Sequence, residues 1–237
     1  MNEKNITLRN VGLTLPSKIK LSLKSLREKK RILSGLNFEL APGEIVALMG
    51  RNGSGKSTLF RLLSQIYTPS EGEIILGGNQ SVAVMAFSMG FMPALSGREN
   101  MTLQALIAGM NQKQANKAAK DAICGMRYSM LAQNGNYDMP YHTYSAGMKA
   151  TIASSAALLK QADVLLVDEV FGVGDEAFRN NLSNQIRERA ACGASVLIVS
   201  HDLKVIENLC NRAIVLEDGK QIADNWSIAT AIKYLSR

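Results

Sequence analysis

Within nine residues, Gly50-Arg51-Asn52-Gly53-Ser54-Gly55-Lys56-Ser57-Thr58 places three glycines ahead of a lysine that two hydroxyl residues follow. This is the spacing of a phosphate-binding loop when the loop joins a strand to a helix. The flanks meet that condition: Glu44 to Met49 reads as a buried strand, and Leu59, Leu62, Leu63 and Ile66 recur at helical spacing. Gly53 and Gly55 let successive backbone N–H groups turn inward around phosphate oxygens without Cβ clashes. The helix start adds its positive dipole end. Lys56 can then reach the β- and γ-phosphates of a nucleotide, and the Ser57 hydroxyl can ligate Mg²⁺. A glycine-rich turn before an amphipathic helix is the plain alternative, and the complete motif with both flanks outweighs it.

A second constellation lies downstream. The apolar run Val164 to Val167 ends in Asp168-Glu169, and an aspartate at the carboxyl end of such a strand sits beside the phosphate loop, where it can hold Mg²⁺. Glu169 is then placed to orient and deprotonate an attacking water. An isolated Asp-Glu pair more often caps the next helix, but a phosphate loop upstream favours the catalytic reading. The run Val196 to Val199 repeats the arrangement with Ser200-His201, and a histidine there can contact the γ-phosphate. Of the two histidines, His142 and His201, only the second is expected at the phosphate edge.

Tyr144-Ser145-Ala146-Gly147-Met148-Lys149, ahead of the helical run Ala150 to Leu159, resembles the signature sequence of ABC-type ATPases. On its own, Ser-Ala-Gly reads equally as a helix cap. The resemblance implies that Ser145, Ala146, Gly147 and Met148 address the γ-phosphate of ATP held by a second subunit, with Asp175 as the D-loop aspartate. It also implies a head-to-tail homodimer that closes over two ATP molecules with Mg²⁺. Gly97-Arg98-Glu99-Asn100, Asp138-Met139-Pro140 and Gly172-Val173-Gly174-Asp175 narrow the likeness to the ATP-binding subunits of bacterial polysaccharide exporters. That likeness implies ATP hydrolysis coupled to glycan export, a membrane permease partner touching Phe87 to Asn100, and peripheral attachment to the inner face of the cytoplasmic membrane. From the length read here, no further carbohydrate-binding domain is expected, which favours the short, capsule-exporter-like form.

Three positions depart from that pattern. No Phe, Tyr or Trp between Met1 and Asn37 offers a stack for adenine, no glutamine occurs between Val82 and Asn100, and Thr151 stands where an arginine commonly follows the signature.

The elements that must position these residues follow from periodicity. Ile6/Leu8, Val11/Leu13/Leu15 and Leu36/Phe38/Leu40 alternate as an antiparallel sheet closed by Pro42-Gly43. Glu73 to Leu76 reads as a short strand. The Ala-, Met- and Gln-rich stretch from about Leu95 to Leu159 has helical propensity. Continuous apolar runs at Val164 and Val196 suit parallel strands buried on both faces. Glu176 to Ala191 reads as a helix, Ala213 to Leu216 as a strand entering a hairpin at Asp218-Gly219, and Ile228, Ala231, Ile232 and Leu235 as a closing helix. Taken with the resemblance to ABC-type ATPases, the expected fold is α/β: a RecA-like P-loop NTPase core over approximately 1–86 and 160–237, with an N-terminal antiparallel β-subdomain and an inserted α-helical subdomain over approximately 87–159.

Composition agrees with a single domain of 237 residues that is 46% hydrophobic, with no run long enough to span a bilayer and no signal-peptide block at the N-terminus. These features predict a soluble, cytoplasmic protein. Cys124, Cys192 and Cys210 are odd in number and far apart, which indicates neither a disulfide framework nor a zinc site. Most of the net charge of +7 lies in the first forty residues, where nine basic side chains face three acidic ones. Such a cluster suits an anionic membrane, an acidic protein, a nucleic acid or plain solvent. A soluble ABC ATPase acting on nucleic acid or ribosomes is the alternative, disfavoured by the single ATPase domain and the lack of long coiled-coil inserts. A non-hydrolysing switch is disfavoured by Lys56 and Glu169.

Overall fold

The computed structural model describes residues 6–16, 29–77, 80–86, 90–125, 136–159, 161–172 and 176–237. Its strands are β1 (Ile6–Pro16), β2 (Lys29–Leu40), β3 (Ile45–Met49), β4 (Glu71–Leu76), β5 (Val82–Met85), β6 (Val164–Asp168), β7 (Ser195–Val199), β8 (Arg212–Glu217) and β9 (Lys220–Trp226). The helices are α1 (Lys56–Leu63), α2 (Gly97–Ile107), α3 (Gln112–Gly125), α4 (Ala146–Leu159), α5 (Glu176–Ala191), α6 (Leu203–Leu209) and α7 (Ile228–Leu235). The strands form one sheet in the order β4-β1-β2-β9-β8-β3-β7-β6-β5. Strands β8, β3, β7, β6 and β5 run parallel, while β4, β1 and β2 pair antiparallel.

Alternation along the buried parallel strands divides the core in two. Ile45, Ala47 and Met49 of β3 face one cluster with Val196 and Ile198, covered by Leu182 and Ile186 of α5, Val205 and Ile206 of α6 and Ala231 of α7. Val46, Leu48, Leu197 and Val199 face the other, against α1 and the antiparallel strands. A third cluster, of Met101, Ala119, Tyr137, Tyr141, Tyr144, Ile152 and Ala156, joins α2, α3 and α4.

The N-terminal segments anticipated as separate short strands form one continuous β1, whose register slips at irregularities between Leu8 and Thr14. Helix α1 ends at Leu63, with Gln65 in the left-handed region at φ 61. Ile66 therefore falls outside the helix and is exposed, contrary to the apolar stripe read from the sequence. Strand β9 pairs antiparallel with β8 across a turn in which Asp218 and Gly219 both have positive φ, the geometry of a tight hairpin. Among the described residues, no helix is long and apolar enough to cross a membrane.

Candidate active site

The phosphate loop leaves β3 at Gly50 and enters α1 through Gly55, at φ 106. Gly50 is the tightest point. Its φ is 154, and a Cβ there would lie 2.3 Å from the Leu216 carbonyl oxygen and 2.6 Å from Ser54 Oγ. Sequence reasoning emphasised Gly53 and Gly55; the close approach of β8 behind Gly50 comes from sheet order and leaves no local trace. The Ser54 hydroxyl is buried without a hydrogen-bond partner. The hairpin turn clasps the loop from outside, since Gly219 N–H donates to the Ser54 carbonyl at 3.1 Å and Ser34 N–H donates to the Gly219 carbonyl at 2.8 Å.

A cleft of about 510 Å³ opens over this loop, lined by Asn52, Gly53, Gly55, Lys56, Ser57, Thr58, Asp168, Glu169 and His201, with Ile32 and Val199 completing its wall. The parallel register explains the convergence: β6 lies beside β7, with Asp168 opposite Val199. Ile32 was missed because β2 reaches the cleft only through the long-range pairing of Ser34 with Lys220.

Lys56 Nζ donates to the Gly50 carbonyl at 2.7 Å and the Arg51 carbonyl at 3.1 Å, folding over its own loop. Burial lowers its pKa by stripping hydration from the ammonium, and the charges of Glu169 and Asp168 oppose that shift. Burial likewise raises the Asp168 carboxyl, against the attraction of Lys56 and Arg61. The Ser57 hydroxyl and Asp168 carboxylate are hard oxygen donors of the kind Mg²⁺ takes. A cation there would relieve the penalty that burial places on the Asp168 charge. Glu169 has φ 56, rare for a non-glycine residue, and its N–H donates to the Val199 carbonyl at 3.0 Å. Its Oε1 lies 3.3 Å from His201 Nε2.

A neighbouring cavity of about 410 Å³ shares Asn52, Lys56, Glu169, Val199 and His201 with the cleft, and Ile232 and Leu235 of α7 help to close it. A larger cavity, about 580 Å³ between α3, α4 and α5, contains none of the predicted site residues.

Ser145 lies elsewhere. It precedes α4, and its Oγ accepts the Met148 N–H at 3.2 Å, so it caps this helix. None of Ser145, Ala146, Gly147 and Met148 lines the cleft of the same chain. Thr151 turns its hydroxyl back onto the Gly147 carbonyl at 2.9 Å, one turn below. Asp175 and Phe87 lie outside the described residues, as do Lys18, Lys20, Lys24 and Arg27 of the basic segment. Within the described part of that segment, Arg31 pairs with Glu71, and Arg9 of the neighbouring strand pairs with Glu73.

Residues 33–172 match the family model described as ABC transporter. The O-antigen export system ATP-binding protein RfbB of Klebsiella pneumoniae is 34% identical over 186 residues, covering 78% of this chain and 73% of that protein. The protein of the same name from Myxococcus xanthus is 33% identical over 218 residues, 90% of this chain and 48% of its own length. The teichoic acids export ATP-binding protein TagH of Listeria innocua is 33% identical over 189 residues, 79% of this chain and 54% of the relative. The chain thus spans about half the length of these last two relatives. A solved structure titled as the dimeric MJ0796, a bacterial ABC transporter cassette, superimposes with a TM-score of 0.77 at 22% identity, over 92% of this chain and 97% of that one. The fold is that of an ABC ATPase cassette. The chain belongs to the ABC transporter family, among its ATP-binding proteins.

Proposed function

We propose that this chain is the ATP-binding and ATP-hydrolysing subunit of an exporter that moves a polysaccharide or glycolipid across the cytoplasmic membrane. The observation that carries the reading is the meeting of Lys56, Ser57, Asp168, Glu169 and His201 in one cleft at the phosphate loop. The loop amides and Lys56 bind the phosphates of ATP, and Gly50 to Thr58 form the cradle. Ser57 and Asp168 hold Mg²⁺. When bound, that ion neutralises charge on the phosphates. Glu169 accepts the proton of the attacking water, and His201 hydrogen-bonds the γ-phosphate and keeps the water in line.

Two chains pair head to tail, so that Ser145 to Met148 and the helix start of α4 meet the ATP held by the other copy. The helical subdomain, over approximately 87–159, faces a membrane permease and leaves the protein peripheral to the inner face of the membrane. The glycan class rests on the likeness to relatives named for O-antigen and teichoic acid export. Phosphate release from Mg-ATP by the purified protein tests the enzymatic part: Lys56→Ala should abolish it. Surface glycan lost on deletion, and restored by the wild-type chain but not by Lys56→Ala, tests the cargo.

A further inference from the structure

Tyr144 stands next to Ser145 yet belongs to a different contact system. Its ring is 4% exposed, and its hydroxyl accepts the Gly97 N–H at 3.1 Å. Gly97 opens α2, behind a capping box in which Ser96 and Glu99 satisfy each other's backbone. A Cβ there would lie 2.5 Å from the Tyr144 hydroxyl oxygen, so any larger residue must displace the Tyr144 side chain. Burial also pushes the phenol pKa up, so the hydroxyl stays neutral.

The same two segments meet at further points. Tyr141 N–H donates to the Leu95 carbonyl at 2.8 Å, and His142 N–H donates to the Pro93 carbonyl at 3.0 Å. Arg98 pairs with Asp138 at 2.7 Å. Phe91 stacks on Tyr141 with centroids 5.1 Å apart, and Lys149 Nζ sits 5.6 Å over the Tyr141 ring. The Asn100 side chain, fully buried, binds Met92 and the Leu95 and Ser96 carbonyls, which shapes the 92–96 turn from within. Met92, Pro93 and Ala94 on that turn are exposed. An exposed turn is thus bound through Gly97 and Tyr144 to the residue that caps α4.

We infer that Tyr144 is a positioning residue: through the Gly97 N–H it fixes Ser145 relative to the 91–100 segment, so that the position of this segment sets how well Ser145 meets the partner copy's nucleotide. The inference rests on the proposed ATPase reading. Losing one buried hydrogen bond is worth a factor of about three to ten, and the loss should appear in dimer formation and turnover rather than in nucleotide capture at the phosphate loop.

The test is ATP-driven dimerisation in the Glu169→Gln background, measured by sedimentation, with fluorescent ADP binding measured beside it. Adding Tyr144→Phe should weaken dimerisation by about three- to tenfold and leave ADP affinity unchanged. Gly97→Ala should weaken it also, and the Gly97→Ala/Tyr144→Phe pair should fall short of the sum, since the phenylalanine removes the oxygen that the new Cβ meets. Unchanged dimerisation with only a lower Tm would reduce Tyr144 to a packing role and overturn the inference, as would strictly additive effects. If Glu169→Gln with Tyr144 intact fails to dimerise on ATP, the head-to-tail dimer falls and the positioning role with it, while the ATPase reading itself stands or falls on phosphate release by the wild type.

Discussion

Glu169 Oε1 and His201 Nε2 lie 3.3 Å apart at the ends of neighbouring parallel strands. The contact is one that strand register creates: Asp168 pairs with Val199, and the Glu169 N–H then reaches back to the Val199 carbonyl. A carboxylate and an imidazole are thereby held at one edge of the cleft. His201 is 70% exposed, so its contact with Glu169 adds little to stability. Its value lies in the cleft. His201→Ala should lower kcat by about a hundredfold, the size expected for removing one donor to a developing charge. The KM for ATP and the Tm should stay near wild type in steady-state assays and thermal melts.

The backbone at Glu169 carries a second consequence. A non-glycine residue at φ 56 bears a left-handed conformation that costs about 1 kcal/mol or more, and asparagine adopts that region more readily. Glu169→Asn should therefore raise Tm by about 2–4 °C for a domain of this size while abolishing hydrolysis. Thermal melts alongside phosphate release would show the opposed changes.

Asp168 supplies a pH-dependent test. Burial raises its carboxyl pKa in the folded chain. The stability linked to a raised carboxyl is present below its unfolded pKa and lost as pH rises through the folded value, because the folded state binds the extra proton. At neutral pH without Mg²⁺ or nucleotide, Asp168→Asn should thus melt higher than wild type. The difference should shrink as pH falls into the acidic range where Asp168 itself becomes neutral. Added Mg-ATP should stabilise the wild type more than the variant.

Much of the lining of the cleft was legible in the sequence because each of its parts is local. A glycine loop between an apolar strand and a helix, and acidic or imidazole side chains at the ends of continuous apolar runs, carry their geometry in a few residues. The boundaries of α5 and the turn at Asp218-Gly219 were legible for the same reason. Long-range features were not. Strand β5, Val82–Met85, is defined by its pairing with β6. Ile32 reaches the cleft through a sheet junction, and Gly50 is required by a carbonyl 166 positions later in the chain. The hydrogen bond between Gly97 and Tyr144 likewise joins residues 47 positions apart.

A structural pair outside the site gives a stability prediction. Arg212 Nε lies 2.6 Å from Glu44 Oε1, with both side chains about four-fifths buried, and the guanidinium also donates to the Glu39 and Asp224 carbonyls. It ties the entry of β3 to β2, β8 and β9. Arg212→Ala strands a largely buried carboxylate and should cost about 3 kcal/mol. Urea denaturation should register the loss, with the slope unchanged.

The most direct measurement is the fate of ATP on Glu169→Gln. The amide keeps the side chain's shape and removes the proton acceptor, so hydrolysis should fall by about 10²–10⁴-fold while ATP binding, followed by equilibrium titration with Mg²⁺ present, stays at the wild-type level. Phosphate release by this variant near the wild-type rate, with ATP binding intact, would contradict the assignment of Glu169 as the base.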